Sequence, residues 1–174
     1  MGYGITIRAS GPYALFTRPE MKAERVSYDM ITPSAARGLI EAIYWKPAIR
    51  WEIDRIHVLN QIAFTNIRRN EVSDIVPSTA RQYMKGSRTD AFYLDVTDKR
   101  QQRASLVLKD VDYVIEAHFE MTDEAGPEET EAKHYNIALR RLRRGQHYHA
   151  PSLGTREFGA KVTLIEDDPI PPSA

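Results

Sequence analysis

Hydrophobic and polar positions follow two periods along this chain, and each period predicts one kind of secondary structure. Residues 5–10 alternate apolar and polar side chains, and residues 111–121 do so over 11 positions. A two-residue period is typical of strands with one buried face. Shorter apolar runs at residues 106–108 and 162–165 predict two more short strands.

Two runs rich in β-branched and aromatic side chains, residues 53–59 and 62–67, predict the second strand of the fold in two pieces. Residues 68–70, Arg-Arg-Asn, are interpreted as the turn that follows. From about residue 70 to about residue 105 the pattern weakens. This weakening predicts an insertion with exposed basic loop tips and one short strand at 91–96.

A period of 3.6 residues marks the first helix. Thr32 suits the N-cap and Pro33 the first helical position, and the pattern ends before Pro47. Tyr44 lies seven residues after Arg37, so both are expected on one flank of the helix, outside the stripe that faces the core. That stripe comprises Ala36, Leu39, Ile40 and Ile43.

The second helix, predicted over residues 127–145, is the most informative segment. Pro127 suits its start, acidic residues follow, arginines occupy its last turns, and Gly145 suits its end. His134 and Arg141 share a flank. A basic face of this kind is solvated in most proteins, so it favours an anionic partner only with further support. The apolar stripe comprises Tyr135, Ala138, Leu139 and Leu142, and the opposite stripe Lys133, Ile137, Arg140 and Arg144.

Composition is that of an ordinary globular domain, with 42% hydrophobic and 28% charged residues among 174. The 24 basic and 24 acidic residues cancel, but they are segregated: residues 123–131 hold five acids and no base, and residues 133–147 hold five Lys or Arg and no acid. A basic surface can therefore exist on a neutral protein. Cysteine, long apolar runs and a signal-peptide pattern are absent, so we expect a cytoplasmic protein.

The order strand, helix, strand, insertion, strand, helix, strand predicts an α+β fold of the ferredoxin-like (split βαβ, RRM-like) type. Such a fold is an antiparallel sheet with two helices, here with a β-rich insertion. We expect this domain over residues 1–168 and a frayed proline-rich tail at 169–174. The fold hosts many unrelated functions, so function must come from the site residues.

Few residues remain as candidates for chemistry. Dinucleotide, P-loop, zincin and serine-hydrolase motifs are absent from the sequence, and no cofactor is predicted. His147 and His149 could supply two imidazoles to a metal ion, but no acidic pair lies near them, so no native metal site is predicted. Lys133 and His134 at a helix start, with a tyrosine on the other helix, suffice for metal-free RNA cleavage. RNA supplies the 2′-hydroxyl as nucleophile, and the protein supplies a base near neutrality and a cation.

Five segments carry a likeness to a known family: YALFTRPEMKAERVSY (13–28), EAIYWKP (41–47), LKDVDYVIEAHFEM (108–121), AKHYNIALRRL (132–142) and LGTREF (153–158). Together they resemble the fifth CRISPR-associated (Cas) family of type I-C systems, a branch of the RAMP superfamily with a ferredoxin-like core. The likeness is collinear from about residue 3 to about residue 160. Members of that family continue with more β structure after the REF motif, whereas this sequence stops at Ala174.

The resemblance implies an endoribonuclease that cuts the CRISPR repeat RNA hairpin in precursor crRNA. It further implies retention on the 5′ handle of the mature crRNA, with other Cas proteins of a type I-C effector complex and no membrane as partners. The family's catalytic tyrosine falls on Tyr44 within IYWKP, and its lysine and histidine fall on Lys133 and His134 within KHY. His134 would act as base or acid at the 2′-hydroxyl, Lys133 would stabilise the phosphorane, and Tyr44 would position or donate a proton.

Arginines are the expected phosphate contacts of this RNA. Arg140 and Arg144 share the stripe of Lys133 and are the preferred candidates, and Arg37, Arg141 and Arg156 are the others.

Two other functions stay open. One is a non-catalytic subunit that binds the crRNA handle inside an effector complex, and the other is a metal-dependent DNA nuclease that uses His147 and His149.

Overall fold

The computed structural model of the protein describes residues 3–21, 23–73, 79–88, 93, 95–166 and 169–174. The elements run in the order β1 (Gly4–Ala14), α1 (Pro33–Ile43), β2 (Ile49–Val58), β3 (Phe64–Val72), α2 (Ala80–Met84), α3 (Val96–Lys99), β4 (Arg100–Met121), α4 (Glu131–Arg143) and β5 (Lys161–Ile165). The chain is thus a mixed α/β protein built on an antiparallel sheet. Among the described helices, none has the length and apolar character needed to cross a membrane.

All five strands lie in one sheet around β4. The strands β2, β4, β1 and β5 are neighbours in that order, and β3 pairs with the N-terminal half of β4. Ile115 of β4 lies opposite Ile7 of β1, and Phe119 of β4 lies opposite Trp51 of β2. β2 and β3 therefore occupy successive stretches of one edge of β4, and β1 occupies the other edge.

The helices α1 and α4 pack on one face of this sheet. Ile7, Trp51 and Ile115 point into the core on that face, and each is 0% exposed. Tyr135 of α4 is half-buried against the same core. The predicted apolar faces are therefore correct for both helices. The helices bury Ala36, Leu39, Ile40, Ile43, Ala138, Leu139 and Leu142.

The predicted second strand, residues 53–59 and 62–67, is instead two separate strands, β2 and β3, which pair with different stretches of β4. The strands differ from the sequence-based expectation in two further places. Residues 106–108 and 111–121 belong to one strand, β4, because β1 pairs with it on both sides of the polar Lys109-Asp110 step. Residues 68–70 form no turn but lie within β3, paired with residues 102–104. In both places a neighbouring strand supplies the hydrogen bonds, which local propensity cannot reveal.

The predicted insertion contains the end of β3, the two short helices and the beginning of β4. Residues 91, 92 and 94 of the strand expected at 91–96 lie outside the described residues, and Val96 begins α3. The basic stretch 97–103, expected as a loop tip, is helical at first and then enters β4.

The start of α1 is as predicted, and the start of α4 is not. The Thr32 side chain accepts a hydrogen bond from the N–H of residue 35 and caps α1. α4 begins at Glu131 rather than at Pro127, because the Thr130 hydroxyl oxygen accepts from the N–H of residue 133 at 3.3 Å and acts as the N-cap. Gly145, with a φ of 62°, ends α4 in the left-handed conformation that favours glycine.

Candidate active site

Tyr44 leaves α1 and turns into the core. It is the C-cap residue with an extended backbone (φ −148°, ψ 120°), and its N–H still donates to Ile40 O. Nε1 of Trp51 donates to the Tyr44 carbonyl oxygen at 2.8 Å, which fixes this bend. The Tyr44 side chain is only 2% exposed. The expectation that it lies on the flank of the helix beside Arg37 is therefore wrong.

His134 lies in the first turn of α4 and meets Tyr44 in the core. Its Nδ1 is 2.7 Å from the Tyr44 hydroxyl oxygen, although the two residues are 90 positions apart. The edge of its ring also packs against Phe119, with centroids 6.3 Å apart. His134 is 1% exposed, so it points into the core and not outwards with the basic face. The structure thus brings together two of the three residues expected to form the site.

Glu129 joins Tyr44, His134 and Lys133 in one cluster of side chains. The sequence alone indicated only its acidic character. Its Oε2 is 2.6 Å from Nε2 of His134, and its Oε1 is 3.3 Å from Nζ of Lys133. Both atoms are buried, and among the described residues neither has a hydrogen-bond partner, so their contact is a close ion-pair approach. The only sequence signal was a glutamate four residues before a lysine. Glu129 thus joins the lysine to the histidine.

Burial sets the protonation states of the pair. The pKa of His134 is lowered, chiefly by burial, although the Glu129 carboxylate opposes that effect. The pKa of Tyr44 is raised, again chiefly by burial. A neutral imidazole has one N–H, and since Glu129 can only accept, that hydrogen belongs on Nε2. Nδ1 then accepts from the Tyr44 hydroxyl, which gives a directed chain from phenol to imidazole to carboxylate.

Such a chain can move a proton. A hydroxyl, an imidazole and a carboxylate in series is the arrangement in which the carboxylate orients the imidazole and stabilises its protonated form. Here the hydroxyl belongs to Tyr44, which keeps its proton at neutral pH because the pKa of a tyrosine lies well above neutrality and burial raises it further. The cluster can therefore accept a proton at His134 and supply one from Tyr44.

Lys133 is the exposed member of the cluster. Its side chain is 44% exposed, and its Nζ lies within 3.5 Å of the Glu128 carbonyl oxygen as well as near Glu129. A phosphate that approaches the cluster from solvent meets this cation first.

Arg141 packs on the outer side of Tyr44. Its guanidinium lies 5.2 Å from the centre of the phenol ring, and Nη1 donates to the carbonyl oxygen of Ile43 at 2.6 Å. This contact joins the last turns of α4 to the end of α1. Arg141 and His134, predicted on one flank, thus both contact Tyr44.

The other predicted RNA contacts fall into two groups. Arg140, Arg144 and Arg156 are exposed, and none forms an ion pair among the described residues. Arg37 lies 3.5 Å from Glu52 instead. The three exposed arginines are therefore the ones available to an anion.

His147 and His149 lie in the exposed segment after α4. Within the described part of the chain, no group of three His, Cys, Asp or Glu side chains is placed to hold a metal ion. A metal centre at this histidine pair has no third protein ligand there.

Comparison with known proteins identifies relatives over most of the chain. A family model described as CRISPR-associated protein (Cas_Cas5) matches residues 4–173. A protein of Mannheimia succiniciproducens named CRISPR pre-crRNA endoribonuclease Cas5d is 52% identical over 173 residues, which is 98% of this chain and 77% of that protein. A Thermus thermophilus protein of the same name is 46% identical over 156 residues, which is 90% of this chain and 62% of that protein.

A solved structure described as that of a CRISPR-associated protein has a similar fold. The TM-score is 0.64 at 26% sequence identity, and the match covers 94% of this chain and 66% of the other.

Proposed function

The chain belongs to the Cas5d family of CRISPR-associated proteins, and from that premise we propose that it is an endoribonuclease that cleaves precursor CRISPR RNA within the repeat hairpins. The observation that carries the proposal is the series of contacts from Tyr44 through His134 to Glu129, with Lys133 at its exposed end. The name of the relatives supports the substrate, and the cluster supports the chemistry.

In the proposed reaction the 2′-hydroxyl of the RNA attacks the adjacent phosphorus, with no need for a metal ion. Once the Tyr44 hydroxyl turns from Nδ1 of His134 towards the 5′-oxygen, the freed Nδ1 takes the 2′-hydroxyl proton, and Glu129 stabilises the imidazolium. As the O2′–P bond forms, the P–O5′ bond breaks and the 5′-oxygen takes the Tyr44 hydroxyl proton. His134 then returns a proton to Tyr44 along their 2.7 Å hydrogen bond. The products carry a 2′,3′-cyclic phosphate and a 5′-hydroxyl.

Lys133 stabilises the negative charge that develops on the phosphorane. Tyr44 and His134 are 2% and 1% exposed, so the phosphodiester reaches them only after the side chains on the solvent side of the cluster move. Lys133 and Glu129, which form an ion pair and are partly exposed, are on that side. Phosphate binding to Lys133 competes with this ion pair and so favours the open form.

The test is incubation of the purified protein with repeat RNA in EDTA. We expect cleavage, its loss in His134→Ala and Lys133→Ala, and RNA binding within a few-fold of wild type for both variants. His57→Ala is the matched control, because the Nε2 of His57 also lies 2.6 Å from a glutamate, Glu116, but no tyrosine of the described residues is its hydrogen-bond partner. Intact RNA with a wild-type protein that binds it, or full activity in both variants, would contradict the proposal.

The rest of the RNA lies on the basic face of α4. Arg140 and Arg144 share the stripe of Lys133 and would contact stem phosphates, with Arg37, Arg141 and Arg156 as further contacts. The strand order β2-β4-β1-β5 with α1 and α4 on one face supports a ferredoxin-like split βαβ core beneath that surface. After cleavage the protein stays on the 5′ handle in a cytoplasmic type I-C effector complex with other Cas proteins.

One observation favours a second candidate, a non-catalytic subunit that binds the crRNA handle. Both nitrogens of His134 are occupied, by Tyr44 and by Glu129, and the side chain is buried. A histidine with a purely structural role would have the same contacts and the same burial. Cleavage in EDTA separates the two functions, because the binding subunit leaves the repeat RNA intact.

A further inference from the structure

A wide groove is lined by Arg141, the residue whose guanidinium packs on the Tyr44 ring. It lies between the end of α1 and the segment that follows α4, and its volume is about 740 Å³. Small-molecule sites in proteins occupy roughly 300–1,000 Å³, so the groove has room for a nucleotide. Its lining includes Trp45, Lys46, Arg141, Tyr148 and His149.

The groove exposes large aromatic side chains. The chain has two tryptophans: Trp51 is fully buried, whereas Trp45 is 53% exposed and Tyr148 is 77% exposed. Trp45 points outwards because the preceding residue, Tyr44, turns inwards on an extended backbone. Burial of so large an aromatic surface is favourable, so its exposure at a groove points to a ligand.

Backbone hydrogen bonds hold the two walls of the groove together. The N–H groups of Tyr148 and His149 both donate to the carbonyl oxygen of Ala42, each at 2.9 Å. The Tyr148 and His149 rings contact each other edge to face, with centroids 4.5 Å apart. The aromatic wall is therefore fixed against the end of α1 and is largely formed before any ligand binds.

The charge of the groove favours an anionic aromatic ligand. Lys46 and Arg141 line it, against the single acid Glu41. Among the described residues, the hydrogen bond from Nη1 of Arg141 to Ile43 is the one this guanidinium makes, which leaves most of its donors for a phosphate. Aromatic rings beside cations are the usual means of binding unpaired nucleotides. A protein segment has no comparable reason to need both cations.

The groove also connects to the proposed site. Arg141 lines the groove and packs on the Tyr44 ring, and Trp45 follows Tyr44 directly in the chain. A nucleotide in the groove would therefore lie beside the bond to be cut.

We propose that this groove is a stacking subsite for an unpaired nucleotide that flanks the scissile phosphodiester, with Trp45 and Tyr148 as the stacking rings and Lys46 and Arg141 as the phosphate contacts. The assignment of the neighbouring bond rests on the proposed function, whereas the binding of unpaired RNA in the groove is testable without cleavage.

The experiment compares two RNAs that carry a 2′-deoxy block at the cut: a repeat hairpin with its single-stranded flank and the same hairpin without it. We expect Trp45→Ala and Tyr148→Ala to weaken binding of the flanked hairpin by about 5- to 150-fold each, the range for loss of one stacked base. Binding of the unflanked hairpin should stay within two-fold of wild type, which also shows that the variants are folded. Trp45→Phe should retain most of the affinity, and Tyr93→Ala, which removes another exposed tyrosine (79%), should change neither RNA.

Equal losses for both RNAs, or no loss for the flanked one, would overturn the subsite. The latter result, accompanied by loss of assembly with a protein partner, would assign the groove to that partner instead. Tryptophan fluorescence gives a second reading, because stacking on Trp45 should quench it in wild type but not in Trp45→Phe. Failure of the wild type to cut an unblocked hairpin would remove the proposed function but leave the binding result intact, so the two failures are distinguishable.

Discussion

Glu129→Gln is the substitution that best tests the role proposed for Glu129, which is to stabilise the protonated imidazole of His134. It keeps the shape of the side chain but removes the charge that contacts both Nε2 of His134, at 2.6 Å, and Nζ of Lys133, at 3.3 Å. A hydrogen bond to a charged group contributes about 1.5–3 kcal/mol, so the plateau of kcat/KM should fall by about 10- to 150-fold. Loss of imidazolium stabilisation accounts for this decrease.

The pH profile separates this role from a merely structural one. His134 must be neutral to act as a base, so kcat/KM should rise with pH through its pKa, which burial already lowers. The Glu129 carboxylate raises that pKa, so its removal should lower the pKa further and move the rising limb to lower pH. A structural role would lower the plateau and leave the limb in place.

The assay is the initial rate of repeat RNA cleavage in EDTA, at limiting substrate, across the pH range around and below neutrality. Glu116→Gln is the control, because the Glu116 carboxylate also lies 2.6 Å from a histidine nitrogen, that of His57, outside the cluster. A plateau of kcat/KM within two-fold of wild type, or a rising limb of the pH profile that stays in place or moves to higher pH, would refute this role of Glu129.

Two further predictions concern single groups. Tyr44→Phe should slow cleavage by at least ten-fold and destabilise the fold by about 1–3 kcal/mol in urea unfolding, because Nδ1 of His134 is left buried without a donor; unchanged stability would mean that the 2.7 Å contact contributes nothing. Gly154→Ala should destabilise the fold by more than Gly86→Ala does, by about 1–3 kcal/mol, since both have positive φ but only at Gly154 would the new Cβ collide with backbone. Equal losses in urea would contradict this reading of the two glycines.

Local signals were sufficient for part of the fold. Thr32, Pro33 and a regular apolar stripe specify α1 within a dozen residues, so its start was predicted correctly, whereas Tyr44, expected on the helix, lies just beyond its end. The continuity of β4 was missed because Lys109-Asp110 resembles a turn, and only the pairing with β1 on both sides carries the strand through it.

The residues of the candidate site were likewise predictable only in part from the local sequence. Lys133 and His134 were found because they are adjacent at a helix start, and Tyr44 came from the family resemblance and its place at the end of α1. The burial of Tyr44 was missed because it depends on a hydrogen bond from Trp51, in the next strand. Glu129 lies before the helix, and its contact with His134 depends on how the turn before Thr130 folds back. Neither effect has a local sequence pattern.

The most direct test of the central claim changes one group of the substrate. Replacement of the 2′-hydroxyl by hydrogen at the scissile nucleotide alone, in repeat RNA incubated with wild-type protein in EDTA, removes the proposed nucleophile and leaves every protein contact in place. We predict that the all-ribose RNA is cut to a 2′,3′-cyclic phosphate and a 5′-hydroxyl and that the substituted RNA binds normally and stays intact. Cleavage of the substituted RNA at the same bond would contradict the mechanism.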